Sequence, residues 1–492
     1  MKNNKKNLIV TGILFLFVML SFNSCKKEFL NTPPPNITDK TFFSDDNAAL
    51  TALAGVYDPL GWYNFSQLTE WAIGDAVSDD AEKGGGGDGD YAEIYALTTF
   101  TANAENPLIA KRWNDFYIGV NRANRLIEGI TDNDNITPSV QKRILAEAKF
   151  LRAFYYFELV KTWGGVPIVD HILSPSEYTP ARNTIEECWA FIESDLKAAK
   201  DGLPRKSELD ATELGRATWG AAAAFLTKAY IFQEKWQDAY DLATEIVNSG
   251  EYDLEANYGD EFTIATDNGI EAVFEIQFKD LHMPGWLDEN EGCHLEVMMR
   301  SRDDRNGGWG FDQPTQSLYD EFEEGDPRRS YTIISHLDTL WKGTPDEEVF
   351  YTLKDPVHNP DSYTGYYNRK RALPKSQRGN GEDQAGMNLR VVRFAEVLLW
   401  QAEAAAHLGL DWETPINRVR ARVGLGASPY SDPIEAVYHE RRVELGMEGH
   451  RYWDLVRTGR GNLMDGYTDN KRYLLIPQIE INLNPNLEQN PY

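Results

Sequence analysis

The sequence predicts a mainly α protein, with tetratricopeptide-like helix pairs forming a scaffold that large irregular loop insertions interrupt. Three observations carry this expectation. From Val140 the apolar residues Val140, Ile144, Ala148, Leu151, Tyr155 and Leu159 recur in steps of three and four until Gly164, Gly165 and Pro167, a helical period with a stop behind it. Residues 217–250 read as a small-residue helix, a short turn and a second helix, with Leu226, Tyr230, Trp236 and Ala239 at tetratricopeptide spacing. Residues 389–425 make a second candidate pair with Gly409 at its turn. Long irregular stretches separate the pairs, so a helical solenoid with insertions fits better than a regular array.

The chain opens with a leader. Lys2, Lys5 and Lys6 precede an uncharged run, Leu8 to Leu20, and small Ser24 stands before Cys25, the layout of a secretory signal. A plain signal has no need of a cysteine, and Phe22-Asn23-Ser24-Cys25 resembles a bacterial lipobox, in which the thiol is acylated. The apolar run is short for a membrane span, which needs about 20 residues. Pro33 to Pro35 then favour an extended spacer.

Removing residues 1–24 takes away three lysines and no acid, moving the net charge from -28 to -31. Nucleic-acid binding needs a basic surface, so that class is excluded. With 42% hydrophobic and 12% aromatic residues the chain can still bury a substantial core. Beyond the leader no apolar stretch reaches transmembrane length. Cys188 and Cys293 are the only other cysteines. They form no disulfide framework or zinc motif, and whether they pair is left open.

Two segments differ from the helices, at about 60–106 and 261–385. They are rich in Gly, Asp and aromatics, with short β-like runs such as AVFEIQF, and loops on a rigid scaffold are where binding residues tend to sit. The string GGGGDGDY, residues 84–91, reads as a mobile loop, with a calcium site at Asp88 and Asp90 as the alternative. Its acids would repel phosphate. No G-x-S-x-G, P-loop or dinucleotide-binding context appears, so neither catalysis nor a cofactor is expected. His439-Glu440 lacks the second histidine of a zinc protease, since Val443 holds that position. Arg441 shares an apolar stripe with Ile434, Val437, Tyr438 and Leu445 and needs a carboxylate partner. Gly446 suits a helix C-cap.

Sugars rest flat C–H faces on aromatic rings and exchange hydrogen bonds with polar side chains. The candidate glycan-binding residues are therefore Trp71, Asp79, Asp80 and Tyr91 in the first insertion. In the second they are Trp286, Arg305, Asn306, Trp309 and Phe311, with Trp341 nearby. Taken singly, each aromatic is better placed in a core. Together, inside Gly-rich polar loops, they are harder to bury.

Four segments in order are RAFYYFELVKTWGGVPIV (152–169), AEVLLWQAEAAAHLG with INRVRARVGL behind it, HERRVELGMEGHRYWDLVRTGR (439–460) and LLIPQIEINLNPNLEQNPY (474–492). Together they resemble the SusD/RagB family of outer-membrane nutrient-binding lipoproteins from Bacteroidetes. The resemblance implies a fold on four tetratricopeptide-like helix pairs with an irregular region that binds glycan. It also implies a lipid anchor at Cys25 in the outer membrane, exposure at the cell exterior, and a SusC-type TonB-dependent transporter as partner. Lys26-Lys27-Glu28 matches the family's acidic export signal only in part. The expected organisation is a signal peptide over 1–24, an N-terminal SusD-like region over 25–260 and a C-terminal RagB/SusD region over 261–492. The alternatives are a non-catalytic protein-binding scaffold and a binder of a non-glycan nutrient such as peptide.

Overall fold

The computed structural model describes residues 42–280, 292–302, 307–354, 362–378 and 384–492. Cys25, Trp286, Arg305 and Asn306 lie outside the described residues. About 52% of the described residues are helical, with sixteen α-helices among them, and the described strands pair only two at a time. The mainly α expectation holds.

The N-terminal helices are α1 (Asp46–Tyr57), α2 (Leu68–Gly74), α3 (Ala92–Thr98), α4 (Pro107–Ile130), α5 (Pro138–Trp163), α6 (Ile185–Gly202), α7 (Trp219–Phe232) and α8 (Trp236–Asn248). Their starts follow from capping chemistry. Asn106 accepts from the Leu108 and Ile109 N–H groups before Pro107, and Thr184 with Glu187 forms a capping box for α6. Helix α5 ends at Gly164, which adopts φ 73°, a conformation open to glycine. Its Phe150, Leu151, Tyr155, Phe157 and Leu159 are fully buried, so this helix is packed on several sides.

Short helices α9 (Leu295–Met299), α10 (Gln316–Glu321) and α11 (Arg328–Thr332) punctuate the second insertion. Then come α12 (Phe394–Leu408), α13 (Glu413–Arg422), α14 (Pro433–Leu445), α15 (Arg451–Arg457) and α16 (Gln478–Leu483). Neighbours pack in sequence: α4 on α5, α5 on α6, α6 on α7, α7 on α8, α8 across to α12, and α12 on α13 and α14. Ala221 to Ala224 of α7 are all buried, and their small side chains permit this close approach. The largest hydrophobic cluster runs from Phe43 to Leu487.

The strands are β1 (Ala81–Gly84), β2 (Ala272–Ile276), β3 (Phe311–Pro314), β4 (Ile333–Ile334), β5 (Thr339–Leu340), β6 (Glu348–Val349), β7 (Tyr367–Asn368) and β8 (Leu389–Arg393). The expected helix over 389–425 is corrected at its start, where Leu389–Arg393 pairs antiparallel with Ala272–Ile276. Two adjacent β-branched valines, Val391 and Val392, suit a strand, and α12 begins only at Phe394. Gly409 follows at φ 68° and closes α12.

The HERRVEL segment is architectural. Arg441 finds its carboxylates in Asp454, at 3.0 Å, and Glu396, at 3.4 Å. Around it, Arg393 bridges Glu271 at 2.6 Å, Glu444 at 3.0 Å and Glu448 at 2.7 Å. Arg328 joins Glu440 at 2.5 Å and Asp326 at 2.8 Å, and Arg422 holds Glu271 and Glu444. Burial opposes ionisation of Glu444, but Arg422, Arg393 and Arg328 hold its carboxyl down at about 2. Gly446 does end α14, but at φ -53°, and the left-handed residue is Met447 at φ 66°. A Cβ at Gly446 would lie 2.8 Å from the Arg442 carbonyl, so contact rather than backbone freedom asks for glycine.

The C-terminal tail packs back over α5. Leu474 N–H donates to Thr162 O at 2.9 Å, and Trp163 Nε1 donates to Leu475 O at 3.1 Å. Cys188 and Cys293 are both buried free thiols. Among the described residues no helix is long and apolar enough to cross a membrane.

Candidate functional site

The two insertions meet through β1 and β3, whose antiparallel register sets Ala81 opposite Pro314, Glu82 opposite Gln313 and Gly84 opposite Phe311. The Gly85 N–H extends the pairing to Gly310 O at 2.9 Å. This join assembles an aromatic cluster from both segments.

Phe311 is its hub. Trp71 of α2 packs beside Phe311 with ring centroids 5.5 Å apart, and the edge-on rings of Tyr91 and Trp309 lie at 5.5 and 6.5 Å, within the usual range for aromatic pairs. The Tyr91 and Tyr63 hydroxyls share a hydrogen bond of 2.8 Å. Tyr63 also packs edge-on against His294 at 5.3 Å. Trp71 and Phe311 are only 2% and 1% exposed, so the expectation that they contact glycan is corrected: they are core, and form the floor beneath the others. Tyr63, Tyr91 and Trp309 are half-buried. Tyr363, missed in the sequence, is 62% exposed, and its N–H donates to Gln313 Oε1 at 2.7 Å. A Cβ on Gly87 would sit 3.5 Å from the Tyr363 hydroxyl, which puts this ring beside the glycine loop.

That loop is tied rather than free. The Lys83 ammonium donates to the carbonyls of Gly84, Gly87 and Asp90 at 3.0, 2.9 and 2.7 Å. Gly84, Gly85 and Gly87 adopt positive φ, which turns the chain around the ammonium. Asp90 accepts from the Gly86 N–H at 2.8 Å and faces Arg302 at 3.3 Å. Tyr91 follows at φ 54°. A lysine thus gathers the loop's carbonyls, Asp90 of the calcium alternative is engaged by Gly86 and Arg302, and no metal-ligating cluster occurs among the described residues. Burial shifts the Lys83 ammonium below its ordinary range, with Asp90, Asp88 and Glu93 acting in the opposite sense.

Asp79 and Asp80 have a different role from the one expected. Arg451 grips Asp79 through two hydrogen bonds, of 2.7 and 2.9 Å, and Arg442 donates to Asp80 at 2.7 Å. Burial raises the Asp80 carboxyl. At Asp79 burial is outweighed by the Arg451 hydrogen bonds and the charges of Arg451 and Arg442, so its carboxyl is lowered. Both acids are spent on arginines and anchor the first insertion to α14 and α15. Close approach completes the anchor, since a Cβ on Gly74 would lie 2.1 Å from Gly449 O.

The rings left open to solvent are half-buried and exposed tyrosines and one tryptophan beside this buried floor, edged by Asp90 and Arg302. Sequence reasoning placed Tyr91 and Trp309 there but missed Tyr63, Lys83, Arg302 and Tyr363. Tyr63 lay inside the expected insertion and Lys83 directly before the glycine run, which were the available signals.

Two family models match the chain: the SusD family over residues 270–474, and a family described as starch-binding associating with outer membrane over residues 86–231. A SusD-like protein of Bacteroides ovatus is 26% identical, over 89% of this chain and 80% of its own. The starch-binding protein SusD of Bacteroides thetaiotaomicron is 23% identical, over 74% of each chain. Among solved structures, a laminarin-binding SusD-like protein matches with a TM-score of 0.81 at 30% identity, covering 91% of this chain and all of the other. Surface glycan-binding protein A from Bacteroides thetaiotaomicron, in complex with laminarihexaose, matches with a TM-score of 0.79 at 26% identity, over 91% of this chain and 100% of that one. On these matches, with a mainly helical scaffold in common, the chain belongs to the SusD/RagB family.

Proposed function

We propose that this protein is a non-catalytic glycan-binding lipoprotein of the outer membrane that captures oligo- or polysaccharide on the surface of Tyr63, Tyr91, Trp309 and Tyr363. It hands the glycan to a SusC-type TonB-dependent transporter. The observation that carries the reading is the join of β1 to β3, which brings partly exposed rings from both insertions onto one buried floor. Relatives named for starch and laminarin binding support the ligand class. Anchoring rests on Cys25, acylated after loss of residues 1–24. One short chain holds only marginally, whereas several chains add about 0.8 kcal/mol per buried CH₂.

The test is direct titration of the soluble body, residues 26–492, with starch and laminarin oligosaccharides and a wider polysaccharide panel. Binding without release of reducing sugar is the expected result, and failure of the whole panel overturns the glycan reading. In cells, Cys25→Ala is expected to move the protein out of the membrane fraction, and the transporter is expected to co-purify with the detergent-extracted wild type. A Cys25→Ala protein that stays with salt-washed membranes counts against the anchor.

A further inference from the structure

A second concavity of about 480 Å³, which shares no lining residue with this surface, lies between the segment 255–266 and residues flanking the strands of the second insertion. This volume suits a small ligand. Trp341, at φ 51° directly after β5, forms one side, and Tyr331, 39% exposed, forms part of another. Arg369 follows β7, fixed by its own N–H donating to Thr332 O at 2.9 Å, and lays its guanidinium over the Trp341 ring at 5.3 Å.

The chain is strongly acidic, and most of its buried arginines, among them those at 328, 393, 420 and 441, sit in ion pairs; buried Arg371 makes none among the described residues. Arg369 is another exception. It is half-buried, yet its guanidinium makes no ion pair and no hydrogen bond among the described residues. Burial pushes it down to about 10, and the groups acting the other way are the Tyr331 hydroxyl and Asp338. Asp338 already accepts from the Ser335 N–H at 2.7 Å. The two acids of the cleft are Glu255 and Asp260, of which Asp260 is engaged by Asn257 at 2.8 Å. Neither figures among the groups acting on Arg369. A guanidinium over an indole face with no acid to pair with keeps its N–H donors for a bidentate acceptor. Beside it, Tyr331 offers ring and hydroxyl, and the exposed Gln377 offers an amide.

We propose that this cleft is a second saccharide subsite that takes an acidic sugar, with Arg369 gripping a carboxylate or sulfate ester while Trp341 and Tyr331 contact the ring. The choice of a saccharide rests on the carbohydrate-binding reading above, but the residues are separate from that surface. The anion has two sources, a uronate or a sulfated sugar, and the guanidinium chemistry is common to both.

Calorimetric titration of wild-type protein with a short oligogalacturonate, its methyl ester, and a sulfated galactan oligosaccharide decides the matter. Binding of at least one of the acidic ligands is expected. For the uronate, the ester binds more weakly, and raising sodium chloride from about 0.05 to about 0.5 M weakens binding. Equal affinity for acid and ester without any sulfated-ligand binding, or no acidic ligand bound at all, overturns the proposal. These comparisons use wild-type protein and so do not depend on the folding of a variant. Arg369→Met is expected to weaken the acidic ligand by about ten- to a hundredfold, and Arg369→Lys by less. Neutral laminarin oligosaccharides are expected to bind both variants like wild type. If Trp309→Ala instead abolishes acidic-ligand binding, that ligand belongs to the first surface and the second subsite is wrong. Failure of the neutral ligands alone sinks the first surface and leaves this one standing.

Discussion

Arg442 Nε donates to Asp80 Oδ1 at 2.7 Å across 362 residues of chain, and this contact pins the first insertion to the C-terminal helices. Both side chains are enclosed, at 9% and 0% exposure. Removing one partner of a buried pair strands the other charge, at a cost of about 3–5 kcal/mol. Arg442→Leu should therefore lose about that much stability in denaturant titration. Asp80→Asn should lose less, because burial already raises its carboxyl. If Asp80→Asn instead leaves stability untouched and removes glycan binding, Asp80 is a ligand contact and the anchoring role is wrong.

The two tryptophans of the site separate by burial. Trp71→Ala hollows out the floor and should destabilise by about 3–5 kcal/mol. Trp309 is only half-buried, so Trp309→Ala should change melting much less while weakening glycan affinity at least about tenfold, the loss of a main aromatic contact. Melting and affinity of both variants check this, and equal melting losses would place Trp309 in the floor with Trp71.

Lys83 should act as a positioning residue through its three carbonyl contacts. Lys83→Met keeps much of the side-chain volume and removes every donor, leaving carbonyls of the 84–90 turn without their cation. Amide exchange in residues 84–91 should accelerate, and glycan affinity should fall with only a small change in global melting. Exchange that stays at the wild-type rate would show that backbone pairing to Gly310 alone holds the loop.

Helical periodicity made α5 and the α7–α8 pair readable, and the stripe position of Arg441 foretold the carboxylates it meets in Asp454 and Glu396. The site was harder. Its organising contact joins Ala81 to Pro314, and no local pattern specifies a partner so distant in sequence. Two adjacent acids, Asp79 and Asp80, looked like ligand groups because the arginines that consume them lie in α14 and α15. Phe311 and Trp309 are two residues apart, yet one is floor and the other surface, a distinction set by β3 pairing and by Gly310 at φ 66°. The glycine run resembled a free loop because a ring of carbonyls around Lys83 depends on positive φ at three glycines, which composition permits but does not specify.

Asp312 gives the last prediction, a pH dependence with a defined sign. It is fully buried beside the site, and burial raises its carboxyl to about 7, with the charge of Asp80 adding and the Asn368 hydrogen bond and Arg371 opposing. In the unfolded chain an aspartate titrates near 3.9. Below about pH 4 both states are protonated and the residue adds no pH dependence. Between about 4 and 7 the unfolded chain is ionised while the folded one retains its proton, so stability falls as pH rises, and above 7 the full penalty is present. Asp312→Asn removes the ionisation. It keeps an oxygen to accept from Asn368, now at 2.9 Å, and asparagine tolerates the φ of 52° found here. The variant should be more stable than wild type at pH 8, by up to about 4 kcal/mol, with the advantage shrinking steadily toward pH 4. Denaturant titrations across that range check it. A difference between the two proteins that does not vary with pH would mean that Asp312 keeps an ordinary carboxylate pKa and that the enclosed pocket solvates its charge.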